Sequence, residues 1–220
     1  MYATEQIKDS LVYNGKGYLI ENQFLFEEEL MTYVDEHKLY DYDLPSSAIW
    51  RGYRAVFEIT AGKIRLKDLG IPEFVKDENG LYWYFKFNSV VNDELIGLIN
   101  SKYFSGVLVL AEGYLVDFSF FEDEYYPDYK VVEFDKNILR KEVDVKYEEM
   151  PTFRDNQFSK YRKTKAYKKN YRACTQMHRE QFREYTREGL LDLAETIKES
   201  GCDDFIKAFL FRNPSYNKIL

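Results

Sequence analysis

The sequence predicts an α+β protein: an antiparallel β-rich sheet or partial barrel built of hairpins, followed by a C-terminal helical region. Three observations carry that expectation. In residues 53–59, Tyr53, Ala55, Phe57 and Ile59 alternate with Arg54, Val56 and Glu58, the period of two of a half-buried strand. Thr60, Ala61 and Gly62 make a short turn, after which Ile64 and Leu66 alternate with Lys63, Arg65 and Lys67. Beyond Met150 the spacing of apolar residues lengthens to that of a helix. The 20 Tyr and 17 Phe favour strands in the first part, because rings pack well on a pleated surface.

The elements follow in order. Asn14-Gly15 separates Leu11-Val12-Tyr13 from Tyr18-Leu19-Ile20. That pair suits a type I′ turn, which needs positive φ at both central positions, so a first hairpin is expected. Residues 27–37 read as a short helix: Leu30, Tyr33, Val34 and His37 share a face, and acids crowd the first turn. Residues 40–47 form a polar lead into a strand at Trp50, and residues 53–67 form the second hairpin. Residues 68–80 read as loop, with Pro72 and an Asn79-Gly80 turn. Residues 81–87 are almost continuously apolar, hence a strand buried on both faces or at an interface. A helical turn is expected over residues 93–101. Residues 104–110 and 114–120 pair as a third hairpin through Ala111-Glu112-Gly113, and a further strand spans residues 129–134.

After Pro151 the pattern is helical. Tyr167, Tyr171, Cys174, His178, Phe182 and Tyr185 form an apolar stripe, with Lys165, Lys169, Arg172, Arg179, Arg183 and Arg187 on another face. Leu190, Leu191, Ala194 and Ile197 continue a second helix that Gly201 ends, and residues 202–211 form a last helix stopped near Pro214. Residues 1–150 are therefore expected to make a β-rich body with a short helix near 27–38, and residues 151–220 a helical region.

Composition narrows the setting. At 220 residues with 45% hydrophobic content, the chain can fill a real core. No basic region followed by an apolar run opens the sequence, and no window approaches the roughly 20 apolar residues of a membrane span. Two cysteines are too few for a disulfide framework, so a cytoplasmic protein is expected. The net charge of -7 is unevenly spread: residues 158–187 hold ten Lys/Arg against two acids, leaving 21 against 36 elsewhere.

Trp50-Arg51-Gly52-Tyr53, Phe104-Ser105-Gly106 with Leu108, and Gly113 with Leu115 together resemble a pattern in small uncharacterised bacterial proteins. In that group a Trp-Arg-Gly-Tyr strand precedes a Phe-Ser-Gly strand and a Gly-x-Leu hairpin arm. The resemblance covers roughly residues 11–134 and implies no assigned activity. In composition the chain is also similar to bacterial toxin-neutralising immunity proteins, which are often small, acidic and cytoplasmic.

Four groups of residues are candidates for function. Trp50, Arg51 and Tyr53 could hold an anionic ligand on the guanidinium, or Arg51 could stack structurally on its aromatic neighbours. Asp117, Glu122, Asp123, Glu124, Tyr125, Tyr126 and Asp128 form an acidic, tyrosine-rich face suited to a basic partner. Lys165, Lys169, Arg172, Arg179 and Arg183, interleaved with tyrosines, carry the chemistry of single-stranded nucleic-acid binding, against which stands internal neutralisation by the acidic body. Cys174 and His178, four residues apart, match metal-ligand spacing. Only His37 and Cys202 remain to complete a closed site, so core packing is expected and no metal. The same pair raises a cysteine nucleophile among cations, without a family signature around it.

No phosphate-binding loop, dinucleotide fingerprint, nucleophile elbow or zincin helix occurs in the sequence. The function expected first is non-enzymatic protein binding, as an immunity-type inhibitor of a basic toxin, with no cofactor and no membrane. Nucleic-acid binding through residues 160–187 comes second, and a small hydrolase without a readable site third.

Overall fold

The structure is a computed structural model that describes residues 7–22, 24–40, 49–76, 79, 83–112, 128–190 and 201–208. Among them the strands are β1 (Ser10–Tyr13), β2 (Lys16–Ile20), β3 (Arg54–Thr60), β4 (Lys63–Lys76), β5 (Trp83–Ser89), β6 (Gly106–Glu112), β7 (Asp128–Asp135) and β8 (Ile138–Lys146). The helices are α1 (Glu27–Glu36), α2 (Asp93–Asn100), α3 (Met150–Tyr161), α4 (Lys165–Arg187) and α5 (Cys202–Ala208). The fold is α+β.

One mixed, mostly antiparallel sheet runs in the order β3-β1-β2-β6-β7-β8-β4-β5. β3 also pairs with β4, so the sheet turns back on itself. The ring stops short of a barrel, because β8 meets β4 only at Lys63↔Ile138. The parallel pair is β1 with β3, in the register Leu11↔Phe57.

Local chemistry sets the turns. Asn14 and Gly15 both take left-handed φ, 51° and 77°, and join β1 to β2 as the Asn-Gly pair predicts. Ala61 and Gly62, also left-handed, join β3 to β4, and Ile59↔Ile64 fixes the register there. Lys136 and Asn137 do the same between β7 and β8, without a glycine. That second side chain is what holds the β7–β8 turn. Asn137 Oδ1 accepts from the Phe104 amide (2.6 Å), and Nδ2 donates to the Lys102 carbonyl (2.7 Å).

The two larger compartments of the core are divided by β6 and β7, and Ile7 and Ile49 make a small third one with Phe85 and Phe87. Leu108, Leu110, Val132 and Phe134 face the main core with Leu11, Phe57, Leu69 and the buried sides of α1 and α2. Val107, Val109, Val131 and Val145 face the other way, onto Met150, Phe158, Tyr161, Cys174 and Ile206 of the helical layer. Every residue from Gly106 to Ala111 is therefore buried, alternating between the two compartments.

Several elements differ from expectation. Trp50 sits in a turn rather than a strand, half exposed, with the Gly52 amide donating to the Ile49 carbonyl (2.9 Å). β4 runs on through residues 68–76, expected as loop, because β5 pairs along it from Gly70↔Ser89 to Lys76↔Trp83. Pro72 masks that continuation in the sequence. It is tolerated because β3 has left β4 by then, which leaves β5 as the neighbour there. β5 is an edge strand: Tyr84, Lys86 and Asn88 are exposed while Phe85 and Phe87 are half-buried, so it is not covered on both faces. β8 was not expected at all, because its outward residues obscure the alternation that buries Val145. The expected hairpin arm at 114–120, the Asn79-Gly80 turn and the helix at 190–197 lie wholly or mainly outside the described residues.

Phe57 is fully buried at the centre of the main core, whereas Val143 on β8 is 39% exposed. Phe57→Ala is expected to cost about 3–5 kcal/mol. Val143→Ala should stay within about 1 kcal/mol. Urea denaturation of both variants checks this, and equal losses would contradict the two-sided packing.

Candidate functional site

Of the Trp50-Arg51-Tyr53 group, Arg51 and Tyr53 point inward and Trp50 stays half exposed. Arg51 is completely buried, its guanidinium closed on an equally buried Asp9. Nη1 donates to Asp9 Oδ1 and Oδ2 at 3.2 and 3.0 Å, and Nη2 donates to Oδ1 at 3.1 Å and to the Ile7 carbonyl at 2.8 Å. The Ala55 amide completes the carboxylate's shell at 2.9 Å. Above the guanidinium lies the Phe24 ring, 3.7 Å from centroid to Cζ, with Tyr53 at 4.7 Å. Burial pushes the Asp9 carboxyl above the ordinary range, against the pull of the Arg51 charge. Gly52 makes the geometry possible, with φ at 74° and Tyr40 Cδ1 only 2.6 Å from where a Cβ would stand. Asp9, which sequence reasoning passed over, is the partner that turns Arg51 from a surface candidate into a buried tie.

The acidic face falls mainly outside the described residues: Asp117, Glu122, Asp123, Glu124, Tyr125 and Tyr126 are not among them. Asp128, the last member, opens β7, exposed and opposite Lys146.

The basic helix is α4, started by Thr164, whose hydroxyl accepts from the Tyr167 amide at 3.1 Å. At about 100° per residue, Lys165, Lys168, Lys169, Arg172, Arg179, Arg183 and Arg187 fall within a sector of roughly 120°. All seven are exposed. None of them is in an ion pair among the described residues; the pairs of the helical layer are Arg162–Asp203 (3.3 Å) and Lys207–Asp155, which join helices to one another. Tyr171 stands beside the row, 41% exposed, and with Arg172, Arg179 and Arg183 lines a shallow open depression. Tyr167 is half-buried, its hydroxyl donating to Asp203. Burial and that carboxylate push its phenol up to about 12.

The opposite side of α4 carries Cys174 and His178, and the fold adds Cys202, the first residue of α5. The thiol of Cys174 lies 3.6 Å from His178 Nε2, and that of Cys202 lies 3.9 Å from His178 Nδ1. All three ligand atoms lie within 4.8 Å of one another. Burial, with the second thiol beside it, pushes the Cys174 thiol up to about 12, which opposes a free thiolate nucleophile. His37, the other histidine, is elsewhere: it stacks on Tyr33 and approaches Glu94 at 3.9 Å. Spacing within α4 was readable in the sequence. The arrival of Cys202 from a second helix was not.

Fold and surface place the chain among α+β proteins with a mostly antiparallel sheet and a helical layer on one face. No family model, curated protein or solved structure matches it. Among the described residues no helix is long and apolar enough to cross a membrane.

Removing one partner of the Asp9–Arg51 pair strands the other charge in the core. Arg51→Met should therefore cost about 3–5 kcal/mol. The double variant Asp9→Leu/Arg51→Met should lose less than that single variant. Chemical denaturation of the three proteins checks the order, and a loss under about 1 kcal/mol for Arg51→Met would sink the account.

Proposed function

We propose that the protein is a non-enzymatic binding protein whose contact surface is the cation row of α4, and that the partner chemistry is a polyanion, single-stranded nucleic acid being the class it fits. The observation that carries this reading is the row of seven exposed cations without an ion-pair partner among the described residues, in a chain of net charge -7. Had the acidic body neutralised them, the row would serve stability. Left to solvent over a helix about 34 Å long, it offers a line of cations that several phosphates of one strand could reach. Tyr171, on the apolar-stripe side about 60° beyond the row, is 41% exposed and offers a ring for stacking beside Arg172.

The measurement is fluorescence anisotropy with a labelled single-stranded oligonucleotide across a salt series. Four phosphates neutralised should give a slope of log affinity against log salt of about −2.8. Lys165→Glu/Lys169→Glu/Arg172→Glu should abolish binding at low salt while leaving the circular dichroism unchanged. Absence of binding at low salt, or binding untouched by the triple reversal, would reject the reading.

A second reading, an immunity-type inhibitor of a basic toxin acting through the acidic, tyrosine-rich segment, has one supporting observation. β6 and β7 are neighbours in the register Ala111↔Tyr129, so both ends of residues 113–127 are tied to one end of a rigid sheet. Reversing Asp117, Glu122, Asp123, Glu124 and Asp128 should then slow association with a basic protein partner and alter its salt dependence. Pull-downs from native cell extract with wild-type and reversed protein test it; an identical set of captured proteins would dismiss this second reading.

A further inference from the structure

We propose that Cys174, His178 and Cys202 form a Cys2His site for zinc or a similar thiophilic divalent cation, which ties α5 to α4 and leaves a fourth position for water or an exogenous ligand. The chain has two cysteines and two histidines. Both cysteines and one histidine meet at one point, with all three ligand atoms within 4.8 Å. In a tetrahedral zinc centre, with Zn–S about 2.3 Å and Zn–N about 2.05 Å, neighbouring sulfur and nitrogen ligands stand about 3.6 Å apart. Cys174 Sγ and His178 Nε2 are 3.6 Å apart already.

The surroundings of His178 point the same way. Among the described residues its ring nitrogens have no hydrogen-bond partner but the two thiols, which are weak ones, at 3.6 and 3.9 Å. A half-buried imidazole of this kind is poorly satisfied as a core residue and well satisfied as a ligand. The i, i+4 spacing puts Cys174 and His178 on one side of α4, and the Phe205 ring, edge-on with centroids 6.0 Å apart, packs against the imidazole. Cys202 faces Nδ1 rather than Nε2, so binding one metal requires its side chain or the imidazole to turn. On binding, each thiol releases its proton to solvent and supplies a thiolate lone pair to the metal. Two thiolates with an imidazole favour zinc over magnesium or calcium, which take oxygen ligands. The site lies on the side of α4 opposite the cation row, so the two proposals stand or fall independently.

The experiment uses the full chain, purified reduced and anaerobically, titrated with Co2+ and then Zn2+. Tetrahedral cobalt with thiolate ligands gives intense visible bands and a near-ultraviolet charge-transfer band. One equivalent per chain should produce both, and zinc should erase them. Cys202→Ser should weaken binding by more than about 100-fold, since losing an outer-shell partner alone can reach that figure. Cys202 is only partly buried, so this variant tests the site even if Cys174→Ser fails to fold. His178→Asn should lose the bands as well, and His37→Asn should retain them. Zinc should raise the melting temperature of the wild type and not of Cys202→Ser. Absence of tetrahedral cobalt bands, undiminished binding by Cys202→Ser, or a Cys174–Cys202 disulfide in protein isolated anaerobically would each overturn the proposal.

Discussion

The ring of strands depends on the charge pair between Asp9 and Arg51. Asp9 precedes β1 and Arg51 precedes β3, and these are the two strands that pair in parallel. A parallel pair cannot be closed by a tight turn, so something other than a hairpin must hold its starting ends together. Here the carboxylate accepts from the Arg51 guanidinium and from the Ala55 amide at the head of β3, and the guanidinium also reaches the Ile7 carbonyl. The backbone carbonyl of Asp9 in turn accepts from the Ile20 amide (2.9 Å), which brings in β2. One residue thus touches three strands. Its desolvation is costly, and complete hydrogen bonding of the carboxylate is what offsets it.

A second constraint follows from the two-sided wall of β6 and β7. A strand covered on both faces must be apolar throughout, and Val107 to Ala111 is. Its neighbours are secured partly by side-chain amides acting as extra backbone. Asn22 Nδ2 donates to the Val107 carbonyl and its Oδ1 accepts from the Val109 amide, both at 2.8 Å, so the chain leaving β2 stays in register with β6. Through this wall the helical layer shares a core boundary with the sheet. The same wall fixes which side of α4 must face inward: Cys174 packs with Phe158, Tyr161 and Val131, and the cations are left outward.

This division explains what was legible in the sequence. Turn chemistry and amphipathic period are local, and the Asn14-Gly15 hairpin, the Tyr53–Phe57 alternation and the full length of α4 could be read from neighbours a few residues apart. Pro72 concealed a strand because its register is set by β5, and β8 was missed because the face it buries contributes little beyond Val145. The role of Arg51 was ambiguous for a related reason. Its local context, between Trp50 and Gly52, is compatible with a ligand site or with burial, and only Asp9, 42 residues earlier, decides between them. Cys202 is the same case at the other end of the chain: local spacing supplies two potential ligands, and tertiary packing supplies the third.

Both candidate sites on α4 follow from a helix half engaged by the fold. Its first part is held by Ala166, Tyr167 and Cys174 against the sheet. Further along, Phe182 is exposed, and the inward contacts come from α5 through His178 and Phe205. A helix in that position gains little stability from its outer face, so a run of seven like charges there is a cost that packing does not require. Glu180, Glu184 and Glu188 flank Arg183 and Arg187 at one end of the row. Repulsion among Lys165, Lys168, Lys169 and Arg172 is eased by counter-ions or a polyanion, which is the physical ground for reading the row as a binding surface. The inner face has the converse problem. Two thiols and an imidazole replace the larger apolar side chains that would have packed α5 more firmly, and α5 itself is seven residues long. Dispersion between such small groups is weak, whereas a coordinated cation would join the two helices through three directed bonds. A helix that holds its cations outward and its soft ligands inward has each set where its chemistry can act.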